Sequence, residues 1–365
     1  MFICKLIRWI YVSNSEISNG DGGVGAITFD SQGNVINYDM LLEGTSRNCG
    51  GGKTYWGTWI TCEEDGSNGL VWEVNPALNA GEQNSTPTSV VIVGGNYESF
   101  AYDARDRMNP TFYVTEDSSS GSLTRFTPNA DAVAQAEQTG DYSALLTTEG
   151  TQEWLVLNPV SGDVSGTFSW TSNRSIANSN ANMYYPYTEG IDIRNGILYF
   201  VSKTRKSLYI LDLDNLTYIR SSTVSGAFDG QPDQVKRIIA DDPDSDMLYF
   251  CEEASSDNGI HARDTEGNFY TIIDATSAVS SETTGLAFSP DKKHMYISYQ
   301  GNGLIYDISR EDGYPFGAHR LDIKVSIFYD NIIFTQSVIN SELCSLQMFS
   351  FLHTYQFRTL QYHAD

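Results

Sequence analysis

The chain has 365 residues, 40% of them hydrophobic and 12% aromatic, with 31 glycines, enough apolar material for a large core and an argument against intrinsic disorder. Asp and Glu outnumber Lys and Arg 46 to 22, a net charge of −24, which argues against a nucleic-acid partner and against adhesion to an anionic membrane. Five scattered cysteines, Cys4, Cys49, Cys62, Cys251 and Cys344, are too few for a disulfide framework and leave the compartment open.

In chain order, Met1 to Ile10 carries Lys5 and Arg8 within its apolar stretch, so it is neither a clean signal peptide nor a membrane span. Sequons at Asn84, Asn173 and Asn215 would permit glycosylation. A single folded domain is expected over residues 20–325. From Val325 onward glycine and proline disappear, and residues 326–365 read as an atypical tail, possible to separate from the fold.

The first chemical signal is Asn48-Cys49-Gly50-Gly51-Gly52-Lys53, followed by an aromatic strand ending in Cys62-Glu63-Glu64-Asp65. A thiol, a glycine turn and successive carboxylates in so short a stretch point to a hard-metal site with one soft ligand, because clustered buried acids require cations and oxygen donors suit calcium or ferric iron. Gly51-Gly52-Lys53-Thr54 is no phosphate-binding loop, since Arg47 stands where the first glycine should and a strand follows.

A two-strand pattern with a turn then recurs. It opens at Glu98, Glu189, Asp233 and Glu282, each time leading to an aromatic strand such as Phe112-Tyr113-Val114-Thr115-Glu116-Asp117 or Leu248-Tyr249-Phe250-Cys251-Glu252. The steps are 91 (98 to 189), 44 (189 to 233) and 49 (233 to 282) residues, or two, one and one units of about 45, the period of a propeller blade. An all-β, six-bladed β-propeller is therefore expected, with loops at 75–89 and 129–151 and one short helix at Ala130 to Gln138. In such a fold the acids opening each inner strand, Glu98, Glu189, Asp233 and Glu282, converge on the channel, where like charges at low dielectric call for bound cations or for protonation. Histidines never reach zinc-motif spacing, and no Gly-x-Ser-x-Gly elbow occurs.

These motifs resemble the PhoX-type alkaline phosphatases. That family has Asn-Cys-Ala-Gly-Gly and a Thr-Pro-Trp-Gly-Thr-Trp strand ending in Cys-Glu-Glu, matched by Asn48 to Glu64 with Gly50 and Tyr55 as substitutions. Tyr97-Glu98, Tyr113 to Asp117, Glu189-Gly190, Pro232-Asp233-Gln234 and Phe288 to Asp291 follow in the family's order, over roughly residues 20–320. The resemblance implies a phosphomonoester hydrolase with Fe3+ and Ca2+ in the propeller channel and a small phosphate-ester substrate. Cys49 would be the thiolate bridging iron, with Glu98 and Glu189 as its catalytic carboxylate partners. Glu64, Asp233, Glu252 and Glu282 would bind calcium or the mixed site, joined by Glu63, Glu116 and Asp117. The family's arginine two residues before the Glu-Gly acid is replaced by Tyr187, its histidine by Tyr97 and its asparagine by Gln234. Arg47 and Lys53 are candidate phosphate contacts in compensation, with Lys203 and Arg205 as others. An extracytoplasmic or secreted monomer without membrane insertion is expected; the alternative is a non-catalytic calcium-binding propeller that binds a protein or glycan.

Overall fold

The computed structural model describes residues 9–83, 85–238, 246–254, 256–274 and 281–317, and the backbone of the strands Lys324–Tyr329, Ile332–Ser337 and Tyr355–Leu360. It is mostly β, and the chain divides into two compact units. One comprises the described residues up to Thr223 with Gly230–Lys236; the other comprises Val224–Asp229 and the described residues from Arg237 onward.

The first unit opens with an antiparallel sheet of Trp9–Ser15, Gly22–Phe29 and Val35–Thr45. This sheet begins ahead of the expected start at residue 20: seven residue pairs run from Trp9↔Phe29 to Ser15↔Gly23. A second sheet joins Asn48–Lys53, Trp59–Glu63 and Val71–Val74.

The third sheet has nine strands because one strand is shared. Gly150–Ser161 pairs through Gly150 to Trp154 with Thr124–Pro128, and from Trp154 onward with Ser165–Thr171. Ser165–Thr171 in turn pairs with Thr217–Ser222. Two four-stranded repeats, one opening at Tyr97–Asp103 and one at Thr188–Arg194, are thus bridged by a single hairpin. The 91-residue step from Glu98 to Glu189 therefore hides no further repeat. It holds the hairpin and three helices, Ala130–Thr139, Ala144–Thr147 and Arg174–Tyr184. The first helix is bounded as local chemistry requires: Asn129 caps it by accepting from the Ala132 N–H at 2.8 Å, and Gly140 ends it at φ 74°. Helix Arg174–Tyr184, not expected from the sequence, is capped by Asn173, whose side chain accepts from the Ser175 and Ile176 N–H groups; its run of Ser and Asn has low helix propensity.

Alternation of apolar residues along these strands builds a core between successive sheets. Ile60, Cys62 and Val71 of the second sheet pack with Tyr97, Phe100, Phe112 and Val114. Tyr113, Leu123 and Leu155 pack with Leu198, Phe200 and Tyr209. Each fully buried aromatic or branched side chain contributes about 1.5–3 kcal/mol.

In the second unit Met247–Glu253, Ile260–Arg263 and Phe269–Ile273 line up in chain order, as do Thr283–Phe288, His294–Tyr299 and Leu304–Arg310, the last paired with Tyr355–Leu360. A core of Tyr249, Cys251, Ile260, Met295, Ile297 and Ile308 lies within it. In the expected tail over 326–365 the strand Lys324–Tyr329 pairs with Ile332–Ser337, and apart from these and Tyr355–Leu360 the tail falls outside the described residues. Among the described residues, no helix is long and apolar enough to cross a membrane.

Candidate metal centre

The same irregularity recurs at the start of three inner strands of the first unit. Pairing shifts between Asn48 and Gly51, between Tyr97 and Phe100, and between Thr188 and Ile191, so that three steps on the inner strand face two on its neighbour. Cys49, Glu98 and Glu189 are the residues that follow the first paired position in each bulge. A bulge takes its extra residue out of the ladder and re-aims its side chain, so three repeats present a ligating group from one equivalent position.

Close backbone approach completes the arrangement. A Cβ on Gly50 would lie 2.3 Å from the Glu98 carbonyl oxygen and 2.9 Å from Glu98 Oε1. One on Gly190 would lie 2.4 Å from the Val235 nitrogen and 2.8 Å from the Asp233 carbonyl oxygen. Glycine is what lets the Cys49 strand reach the Glu98 strand, and the Glu189 strand reach Asp233. From the first sheet, the Asn14 amide donates to the carbonyls of Cys49 at 2.7 Å and Gly50 at 2.6 Å, and its own oxygen accepts from Trp59 Nε1 at 3.0 Å.

Two groups of candidate ligands result. Glu98, Glu189 and Asp233 offer oxygens within 4.8 Å of one another, and Glu16, Cys49 and Glu64 do the same. Glu98 and Glu189 are 1% and 3% exposed. Burial pushes both carboxyls well above the usual range, and their mutual repulsion, with that of Glu64, Asp117 and Asp233, adds to it. Burial likewise raises the Cys49 thiol, with Glu98 as the next cause, and takes Glu64 up to about 8. Among the described residues, Glu98 Oε1 and Asp117 Oδ1 are buried without a hydrogen-bond partner. Buried orphaned oxygens in a set of carboxylates and one thiol are a donor set that fits hard cations with one softer contact.

Lys203 enters the same place. Its Nζ lies 2.6 Å from Asp117 Oδ2 and 2.7 Å from Glu189 Oε1. In sequence Lys203 reads only as a further candidate phosphate contact, and nothing marks Glu16 or Asn14, which lie ahead of the expected domain start and in no motif.

The remaining predicted residues take other positions. Glu63 is buried with both oxygens engaged: Oε1 accepts from the Ser46 N–H at 2.8 Å, and Oε2 from the Leu70 N–H and Trp72 Nε1, both at 3.0 Å. Glu116 is paired with Arg174 at 2.9 Å. Glu252 and Glu282 belong to the second unit. Glu252 accepts from the Asp229 N–H, the Gly259 N–H and the ring of His261, at 3.1, 3.0 and 2.9 Å. Glu282 precedes its strand, and the bulge there falls at Gly285 and Leu286, so Glu282 does not hold the position of Glu98 and Glu189. Arg47 and Lys53 are exposed; Arg47 lies beside the Glu64 backbone. Tyr97 is buried and donates to the Val93 carbonyl. Tyr187 adopts φ 55° and donates its N–H to Ser118.

The family model described as Alkaline phosphatase PhoX matches residues 31–69, which include Asn48 to Glu64. Pseudomonas fluorescens PhoX in complex with vanadate, a transition state analogue, is similar in structure with a TM-score of 0.65 at 14% identity, over 88% of this chain and 89% of that one. A chain of the nidogen/laminin complex has a TM-score of 0.52 at 9% identity, over 84% and 92%. A protein from Lactobacillus plantarum has 0.50 at 10%, over 84% and 93%. No curated protein matches. The likeness is one of fold, of the β-propeller type.

Proposed function

We propose that this chain, a divergent relative of the PhoX-type alkaline phosphatases, is a six-bladed β-propeller hydrolase that cleaves phosphomonoesters at a centre of Fe3+ and Ca2+. The observations that carry this reading are the equivalent bulge positions of Cys49, Glu98 and Glu189 and the meeting of Glu98, Glu189 and Asp233 oxygens within 4.8 Å, with one Glu98 oxygen orphaned. Acids this deeply buried are held at a cost that cations relieve.

Cys49, with Glu98 and Glu189, would hold iron; Glu16, Glu64, Asp117 and Asp233 would complete the calcium-binding side. Bound cations supply charge neutralisation for the non-bridging phosphoryl oxygens, which is most of what phosphoryl transfer requires. The chain itself contributes position. Asn14 fixes the Cys49 backbone, Gly50 and Gly190 hold the ligand strands together, and Arg47 offers an exposed cation near Glu64. Calcium at millimolar level occurs outside cells, which favours an extracytoplasmic site of action.

Elemental analysis of the purified protein together with hydrolysis of p-nitrophenyl phosphate tests the reading. Iron and calcium with turnover that a chelator abolishes are expected, and Cys49→Ala should lose iron and activity while keeping the β-rich fold. Calcium alone, without turnover, would leave the binding-module alternative standing.

A further inference from the structure

We propose that Lys203 is a cation built into the acidic centre, its ammonium holding a place between Asp117 and Glu189 that a divalent ion would otherwise take. The inference rests on the metal-centre reading above and concerns how many ions that centre admits.

Three observations carry it. The first is geometry. A carboxylate just past the strand Thr111–Glu116 and one in the strand Thr188–Arg194 approach one nitrogen at 2.6 and 2.7 Å, close to the 2.3–2.6 Å at which calcium takes oxygen ligands. The second is anchorage. The Lys203 N–H donates to the Tyr187 carbonyl at 3.0 Å, its carbonyl accepts from Lys206 at 3.0 Å, and Tyr187 in turn donates to Ser118 beside Asp117. The lysine is therefore tied to both segments whose acids it bridges, with its side chain 21% exposed. The third is charge. Two carboxylates meet the single ammonium, which balances one of their two charges and leaves Glu98 and Asp233, whose oxygens lie within 4.8 Å of those of Glu189, for ions. Asp117 keeps one buried oxygen without a partner among the described residues, so its carboxylate can serve the lysine and an ion at once.

An ammonium balances one of the two charges of a carboxylate pair where a divalent ion would balance both, but only the ammonium is covalently retained when ions are stripped. Lys203 thus lowers the number of ions the centre accepts by one, and leaves the stripped protein with part of its acidity balanced.

The test is metal content. Wild type, Lys203→Ala, Lys203→Met and Lys203→Arg are dialysed against calcium and their metal-to-protein ratios compared. Removing both the charge and the bulk should raise the ratio of Lys203→Ala by one ion. Lys203→Met removes the charge while keeping the bulk and should raise the ratio likewise, whereas Lys203→Arg keeps the charge and should match wild type. A folded Lys203→Ala with the wild-type ratio overturns the proposal. If that variant folds only when calcium is supplied, the dependence supports it. If Lys203→Met folds and keeps the wild-type ratio, the stem of the lysine matters and not its charge, and the proposal falls whether or not Lys203→Ala folds. The wild-type ratio by itself tests the metal-centre reading, independently of the difference between variants.

Discussion

Cys49 and Glu98 occupy the same place in two successive repeats. Each follows the first paired residue of a bulge, and the glycine after Cys49 leaves no room for a Cβ against the Glu98 carbonyl. The pair links the two ligand groups, one containing the thiol and the other the carboxylate.

That closeness predicts the effect of Gly50→Ala. The added carbon would stand 2.3 Å from the Glu98 carbonyl oxygen and 2.4 Å from Ser99 Oγ, which only a backbone shift can relieve. Overpacking of this kind costs about 1–3 kcal/mol. A lower melting temperature with reduced metal retention is expected; unchanged values would mean that the two strands separate freely.

Asn14→Ala removes both donors to the Cys49 and Gly50 carbonyls and the acceptor of Trp59 Nε1. A loss of about 1–3 kcal/mol is expected from the buried groups left unpaired. Metal affinity should fall with it, because the bulge that aims the thiol is no longer held. Denaturant unfolding and metal titration of the variant check the two effects separately.

Stability of the metal-free protein should fall as pH rises. Glu64 is raised from the ordinary carboxylate range to about 8, and Glu98 and Glu189 are raised well above it. The folded state therefore binds more protons than the unfolded chain from about pH 4.5 upward, and unfolding free energy declines through pH 8 and beyond. At least about 1.4 kcal/mol, the worth of one pKa unit, should separate pH 5 from pH 8.5. Calcium should reverse the trend by binding the ionised form. Equal stability at both pH values without metal would show that these acids are not buried together.

Glu63→Gln tests a residue that the family pattern places beside the ligands and that the structure engages otherwise. Its carboxylate accepts three N–H donors, and an amide must turn its own N–H groups toward one of them. A destabilisation of about 1–3 kcal/mol is expected, with metal content unchanged.

Local chemistry carried much of this protein in readable form. The alternation of apolar residues, the turn glycines and the recurrence near 45 residues identified strands and repeats, because each depends on neighbours a few positions apart. The order of Asn48 to Glu64, Glu98, Glu189 and Asp233 likewise singled out acids that the fold brings near one another. What pairing alone decided is where those acids point. Three bulges, each one residue long, turn Cys49, Glu98 and Glu189 inward, whereas Glu282, which looked equivalent by spacing, stands outside its strand. A one-residue slip in register reverses a side chain's direction, and register follows from contacts between strands far apart in the chain. The same holds for Glu16, Asn14 and Lys203. Nothing adjacent to them in sequence marks them, and only the fold brings Glu16 beside Cys49 and Glu64, Asn14 against the Cys49 backbone and Lys203 between Asp117 and Glu189.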